Sequence, residues 1–242
     1  MITDAFPVLT TQYLAKNALP DFEAVIFDMD GVVLDTEPSY VHAWKQAAAE
    51  FGVPIDEEFC HGLFGRHADD VARALREKIG SGFDRTCFNE LATKYWRAYL
   101  ALHGIAKMTG LDKLLEVLKR DRIPYALATN SDGPYARECL HLGGVTECFP
   151  LVVTRDQVAT GKPAPDLFLE AARRLGASPA RCLILEDSEA GLLAARKAEC
   201  LPVLVGSGSA VPARLTSLAL AVFPSLASVA HAIEGTASTI RH

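Results

Sequence analysis

The chain has 242 residues, half of them apolar, and a formal net charge of −6 with acidic and basic residues well mixed. This length is enough to bury a sizeable core, while the lack of a basic run argues against nucleic-acid partners and the lack of a long apolar run argues against a membrane partner. The N-terminus has no cationic start followed by an apolar stretch, and the six cysteines are scattered, which is typical of a reducing compartment. We therefore expect a cytoplasmic protein.

Short apolar runs alternate with helical patterns along most of the chain. Continuous apolar runs predict buried strands at 24–27, 124–128, 151–153, 182–185 and 203–205. Between or after them, apolar residues at helical spacing predict helices at 111–119, 166–175 and 188–198. This alternation predicts an α/β fold with a Rossmann-like, doubly wound parallel sheet.

The region from 38 to 106 interrupts this alternation. It shows helical patterns at 40–51, 69–79 and 88–102 and no convincing strand, which indicates an inserted α-helical cap domain. The predicted organisation is an N-terminal extension at 1–20, a catalytic core at 21–37 and 107–235, the cap at 38–106, and a flexible tail at 236–242.

Polar residues follow the predicted strands at the edge where open parallel sheets bind ligands. In chain order these residues are Asp28, Asp30, Thr129, Asn130, Lys162, Glu186 and Asp187. Taken singly, each short motif is more often a turn or a helix cap. Four motifs that each follow a strand in chain order favour a common site.

The grouped acids predict a metal-dependent phosphoryl-transfer site. Crowded carboxylates repel one another, and a hard dication such as Mg²⁺ relieves that repulsion. Lys162 supplies further positive charge for phosphoryl oxygens. Asp28 and Asp30 are two positions apart and point to one side of an extended segment, so one can attack phosphorus while the other handles a proton.

As a set, these motifs resemble those of haloacid dehalogenase superfamily phosphohydrolases. The matching segments are the D-x-D-G motif at 28–36, the hydroxyl residue Thr129, the lysine motif around Lys162 and the acidic pair at 186–187. The resemblance covers about residues 24–223 and is strongest to the subgroup of phosphoglycolate phosphatases, sugar-phosphate phosphatases and β-phosphoglucomutases.

The resemblance implies roles for the core residues. Asp28 would be the nucleophile and a Mg²⁺ ligand, and Asp30 the general acid and base with its backbone carbonyl on the metal. Thr129 and the Asn130 amide would hold the transferring phosphoryl group, and Lys162 would stabilise Asp28 and the phosphate.

The resemblance also implies the rest of the site and the reaction. Asp187, with or without Glu186, would complete the metal site, and Gly65 and Arg66 of a cap loop would contact the substrate. An alternative of equal weight is that Arg66 is a surface arginine at the start of a helix, with no contact to the substrate. The implied activity is hydrolysis of a small phosphorylated metabolite, either a sugar phosphate or a phosphoglycolate-like molecule, through an aspartyl-phosphate. Separately, we expect a monomer by default.

Related activities remain as alternatives. Asp30 disfavours dehalogenase chemistry, because dehalogenases of the superfamily lack the second aspartate. β-Phosphoglucomutases carry a histidine ten positions after that aspartate, where this chain has Tyr40; His42 lies two positions further, so a shifted helix register would keep a mutase open. A non-catalytic binding protein on the same fold is a third possibility.

Two nucleotide-binding motifs do not match the sequence. A phosphate-binding loop ending at Lys162 would need glycine at 156 and Ser or Thr at 163, where the chain has Asp156 and Pro163. The segment 206–211 lacks the third glycine of a dinucleotide fingerprint.

Overall fold

A computed structural model describes residues 19–64, 68–206 and 212–239. Its strands are β1 (Ala24–Phe27), β2 (Leu34–Asp35), β3 (Ala106–Lys107), β4 (Tyr125–Ala128), β5 (Val152–Val153), β6 (Cys182–Glu186), β7 (Leu201–Val205) and β8 (Ala221–Phe223). Its α-helices are α1 (Glu37–Glu50), α2 (Glu57–His61), α3 (Ala68–Ile79), α4 (Arg85–His103), α5 (Leu111–Arg120), α6 (Gly133–Leu142), α7 (Asp166–Leu175), α8 (Glu189–Lys197), α9 (Ala213–Thr216) and α10 (Leu226–Thr239).

Six strands form one parallel sheet in the order β5-β4-β1-β6-β7-β8. The order reverses at β1, so the sheet is wound outward from β1 in both directions. The predicted doubly wound α/β fold is confirmed. The sequence patterns did not predict β8, which adds a sixth strand at the edge beside β7.

Alternate residues of β1 face two separate hydrophobic clusters, one on each side of the sheet. Val25 and Phe27 join the cluster that contains α5 and α10, whereas Ala24 and Ile26 join the cluster that contains α7 and α8. All four side chains are fully buried. A strand covered on both faces needs apolar residues throughout, which explains its unbroken apolar sequence.

The helices α1–α4, here called the cap, have a hydrophobic cluster of their own. Val41 and Ala47 of α1 pack there with Leu75 of α3 and Phe88 of α4. The chain leaves the core at β2 and returns at β3, and these two short strands pair antiparallel, with Leu34 opposite Lys107. The two connections between core and cap therefore lie side by side.

Several segments named from the sequence lie outside the described residues. These are residues 1–18 of the expected N-terminal extension, the loop residues 207–211 and the final residues 240–242. The helix α10 ends at Thr239, within the expected tail. Within the described ranges, none of the helices combines the length and apolar character that crossing a membrane requires.

Candidate active site

The carboxyl ends of β1, β4 and β6 meet at one edge of the sheet, and a buried lysine joins two acids there. Lys162 Nζ donates to Asp28 Oδ1 at 2.5 Å, to Glu186 Oε1 at 2.6 Å and to the Ala128 carbonyl at 3.1 Å. Burial opposes its charge, but the two carboxylates raise the pKa of Lys162 above its ordinary value. The ammonium therefore stays charged beside Asp28.

Glu186 is held on both of its oxygens. Its Oε1 accepts from Lys162, while its Oε2 accepts from the backbone N–H of Asp187 and from the N–H and hydroxyl of Ser188. Ser188 is also the N-cap of α8, where its hydroxyl oxygen accepts from the Gly191 N–H at 3.0 Å. The N-terminus of α8 thus fixes a fully buried acid that fixes Lys162 in turn.

Asp30 is positioned by two hydroxyl donors. Thr36 Oγ1 donates to its Oδ1 at 2.9 Å, and Ser131 Oγ donates to its Oδ2 at 3.3 Å. Burial raises the pKa of Asp30 above its ordinary value, and these two hydrogen bonds oppose the shift. A carboxyl group with a raised pKa suits proton transfer near neutral pH.

The Asp187 carboxylate lies against Gly31, the residue of the D-x-D-G segment that has no side chain. Gly31 has φ +79°, and a Cβ atom there would lie 1.9 Å from Asp187 Oδ2. Burial, followed by the charges of Glu186 and Asp28, raises the pKa of Asp187 well above its ordinary value. Gly31 is therefore required both by the backbone angle and by the position of this acid.

Three acids bring carboxylate oxygens close to one another. Ligand oxygens of Asp28, Glu186 and Asp187 all lie within 4.8 Å of one another. Burial raises the pKa of Asp28 to about 7, against the opposing charge of Lys162. The donor set consists of carboxylates only, and their mutual repulsion is unfavourable without a bound cation. Such a set fits a hard dication such as Mg²⁺.

Thr129 and Asn130 follow β4 and face the same edge. Thr129 is buried, and its hydroxyl oxygen accepts from the Ser131 N–H at 3.1 Å, which leaves its hydrogen to donate. The Asn130 side chain accepts from the Lys162 N–H at 2.9 Å and donates to the Lys162 carbonyl at 3.4 Å. The Asn130 side chain therefore orients the lysine loop.

Tyr40 of the cap, and not His42, lies next to these acids. The Tyr40 hydroxyl donates to the Tyr135 hydroxyl on α6 at 2.6 Å, and burial followed by the charge of Asp30 raises the pKa of both phenols. The His42 ring instead packs within the cap, 5.0 Å from the ring of Tyr99. The sequence left open whether Tyr40 or His42 lies beside the acids. The structure places Tyr40 there.

The structure brings most of the predicted site residues together at one edge: Asp28, Asp30, Thr129, Asn130, Lys162, Glu186 and Asp187. Gly65 and Arg66, predicted to contact the substrate, lie outside the described residues. Sequence reasoning gave no role to Ser131 or Tyr135. Ser131 could have been found, since it directly follows Thr129 and Asn130, but Tyr135 carries no motif.

The comparisons with known proteins agree with this geometry. The family model described as haloacid dehalogenase-like hydrolase matches residues 25–205. Over 179 residues, the chain is 34% identical to fructose-1-phosphate phosphatase YqaB of Escherichia coli (strain K12), covering 73% of this chain and 93% of the relative. Over 196 residues it is 35% identical to the β-phosphoglucomutase of Bacillus subtilis (strain 168), covering 77% and 84%.

A solved structure shows a similar fold. The crystal structure of a HAD family hydrolase from Deinococcus radiodurans R1, with bound phosphate and sodium, superposes with a TM-score of 0.72 at 27% sequence identity. The match covers 87% of this chain and 96% of that chain.

Proposed function

Because this chain belongs to the haloacid dehalogenase-like hydrolase family, we propose that it is a Mg²⁺-dependent phosphatase that hydrolyses a small phosphomonoester through an aspartyl-phosphate at Asp28. The observation that carries the proposal is the buried contact of Lys162 with both Asp28 and Glu186. This contact holds the Asp28 carboxylate in one orientation beside a second acid, Asp30, whose pKa is raised.

In the first step, Asp28 attacks the phosphorus atom. Lys162 holds Oδ1 of Asp28, so Oδ2 is the oxygen that forms the new bond to phosphorus. The bond between phosphorus and the ester oxygen breaks, and protonated Asp30 gives its proton to the departing alkoxide. We assign the Thr129 hydroxyl and the Asn130 backbone amide to donating hydrogen bonds to the phosphoryl oxygens.

In the second step, water hydrolyses the aspartyl-phosphate. Asp30, now a carboxylate, takes a proton from the water that attacks phosphorus, and Asp28 is released. Mg²⁺, held by Asp28, Asp187 and the Asp30 carbonyl, would neutralise the crowded acids and the phosphoryl charge. Glu186 Oε2 accepts three hydrogen bonds at the start of α8 and Oε1 accepts one from Lys162, so we assign Glu186 to positioning Lys162, with Oε1 still able to contribute to the metal site.

Phosphoryl transfer between sugar hydroxyls is a second candidate, because the B. subtilis β-phosphoglucomutase is 35% identical to this chain. Tyr40 argues against it. Its hydroxyl is hydrogen-bonded to Tyr135 and its pKa is raised by burial, so it stays protonated and cannot act as a base near neutral pH.

Hydrolysis of p-nitrophenyl phosphate with Mg²⁺ and with EDTA tests the proposal. We expect metal-dependent release of phosphate that is abolished in Asp28→Asn, with an unchanged circular dichroism spectrum. Glucose 1-phosphate isomerisation is assayed in parallel. Turnover that survives in EDTA or in Asp28→Asn would refute the mechanism, and isomerisation without phosphate release would favour the mutase.

A further inference from the structure

A cavity of about 410 Å³ lies between the cap and the core, bounded by α1, α4 and α6. Four aromatic side chains line it: Tyr40, Trp44, Trp96 and Tyr135. Its volume falls in the range of sites that bind small molecules, and aromatic walls with a few polar groups are usual in such sites. Both tryptophans of the chain are among its lining residues.

The cavity lies next to the proposed general acid. Tyr40 and Tyr135, hydrogen-bonded to each other, belong to its wall, and the charge of Asp30 acts on both phenols. Asp132, which also lines the cavity, directly follows Ser131, whose hydroxyl donates to Asp30. A phosphate ester bound at Asp28 would therefore extend its alcohol part toward this cavity.

The charges around the cavity disfavour a second anion. Among the described residues that line it, Asp132 and Glu138 carry carboxylates and Arg97 carries the one cation. Arg97 Nε lies 3.9 Å from Glu138 Oε1, so the positive charge of Arg97 is paired with a carboxylate. Asp132 is the N-cap of α6, where its Oδ1 accepts from the Tyr135 N–H at 2.9 Å. Its charge is thus fixed beside the site.

The remaining polar residues suit hydroxyl groups. Asn89 and Thr93 lie on the α4 side of the cavity, and both are exposed and uncharged. Amide and hydroxyl side chains donate and accept hydrogen bonds, as an alcohol hydroxyl does. The Trp44 ring stacks on Phe64 with 5.3 Å between the ring centroids, and the part of it that lines the cavity offers an apolar surface to the C–H face of a sugar or a sugar alcohol.

We infer that this cavity receives the leaving group and selects a neutral, polyhydroxylated alcohol over a carboxylated one, with Asp132 repelling anions and Trp44 packing against the carbon chain. The inference rests on the proposed phosphatase function and narrows its substrate class to phosphates of sugars or sugar alcohols. It disfavours a phosphoglycolate-like substrate.

Kinetics with three substrates test the selection. With Mg²⁺, we expect kcat/KM for fructose 1-phosphate or sorbitol 6-phosphate to exceed that for 2-phosphoglycolate by at least about tenfold. Asp132→Asn removes the charge and keeps a helix-capping side chain, so this ratio should fall several-fold. Glu116→Gln makes the same change on an exposed face of α5 and should leave the ratio unaltered.

Binding to Asp28→Asn gives a readout that does not need turnover. We expect sorbitol 6-phosphate to change the tryptophan emission saturably, because Trp44 and Trp96 both line the cavity. Inorganic phosphate and 2-phosphoglycolate should change it much less. Trp44→Leu should weaken the binding of sorbitol 6-phosphate about tenfold, whereas Trp44→Phe should retain most of it.

The outcomes separate this inference from the proposed function. Metal-dependent hydrolysis of p-nitrophenyl phosphate together with equal or better use of 2-phosphoglycolate would overturn the selection and leave the phosphatase standing. Loss of 2-phosphoglycolate turnover in Arg66→Ala would then assign specificity to the cap loop. Saturable binding of sorbitol 6-phosphate without any hydrolysis would overturn the phosphatase, and the leaving-group assignment with it.

Discussion

Lys162 Nζ lies 2.5 Å from Asp28 Oδ1, and both side chains are almost completely buried. The lysine comes from the segment after β5 and the aspartate from the end of β1, 134 positions earlier in the chain. The contact therefore depends on the whole sheet being assembled. It links the stability of the core to the orientation of the nucleophile.

Replacing Lys162 by methionine tests how much this contact contributes to the stability of the fold. The change leaves two buried acids without their cation, so we expect the free energy of unfolding to fall by about 3–5 kcal/mol at pH about 8. Lys45→Met provides the control, because Lys45 and Glu57 form an exposed pair at 3.3 Å whose loss should cost under about 1 kcal/mol. If urea denaturation showed equal losses of unfolding free energy in the two variants, the buried contact of Lys162 would not have the stabilising role assigned to it.

Gly31→Ala should act on the metal site as well as on the backbone. The new Cβ would meet Asp187 Oδ2, so we expect Mg²⁺ affinity measured by calorimetry to fall sharply. Gly52→Ala is the matched control, since Gly52 has φ +73° and an added Cβ atom there would meet no neighbouring atom within 4 Å. It should lose about 1–2 kcal/mol of stability from the backbone alone and bind Mg²⁺ as the wild type does. Normal Mg²⁺ binding by Gly31→Ala would refute the contact.

Mg²⁺ binding should depend on pH. In the metal-free protein, burial raises the pKa of Asp28 from an ordinary value of 3.8 to about 7, against the opposing charge of Lys162. The folded metal-free protein then binds more protons than the unfolded chain between these values, so its stability falls as pH rises through that range. Mg²⁺ binds the deprotonated acids and should offset this loss.

The measurement is the rise in Tm on adding Mg²⁺, at pH about 5.5 and about 8. We expect a clearly larger rise at the higher pH and little rise at either pH in Asp187→Asn. A rise of equal size at both values would show that the acids are already ionised in the metal-free protein.

Asp30→Asn should discriminate between leaving groups. An alkoxide needs a proton to depart and p-nitrophenolate does not, so formation of the aspartyl-phosphate should slow about 10²–10⁴-fold for a sugar phosphate and far less for p-nitrophenyl phosphate. Rapid mixing with p-nitrophenyl phosphate should reveal a burst of p-nitrophenol. Equal slowing of that burst and of sugar phosphate cleavage would remove Asp30 as the general acid.

The sheet and the acids were predictable because they depend on local patterns. The unbroken apolar run of β1 and the strand-end positions of Asp28, Thr129 and Asp187 could be read from short segments. Strand β8 was missed although Ala221–Phe223 ends an apolar run at 218–223, because a short apolar run does not by itself distinguish a strand from a buried helix segment.

The other unpredicted features named here are contacts between residues distant in sequence. Tyr40 and Tyr135 are 95 positions apart, and their hydrogen bond depends on how the cap sits on the core. The Asn130 contacts with Lys162 span 32 positions. The approach of Asp187 to Gly31 likewise arises only when β6 pairs with β1. No periodicity or motif encodes such contacts.

Trapping the covalent intermediate tests the central claim most directly. Asp30→Asn should form the aspartyl-phosphate from p-nitrophenyl phosphate and hydrolyse it slowly, so acid quenching during the burst should preserve it. Peptide mass spectrometry should then find the phosphoryl group on Asp28, and Asp28→Asn should carry none. A phosphoryl group on another residue, or turnover with no phosphorylated enzyme under these conditions, would contradict the account.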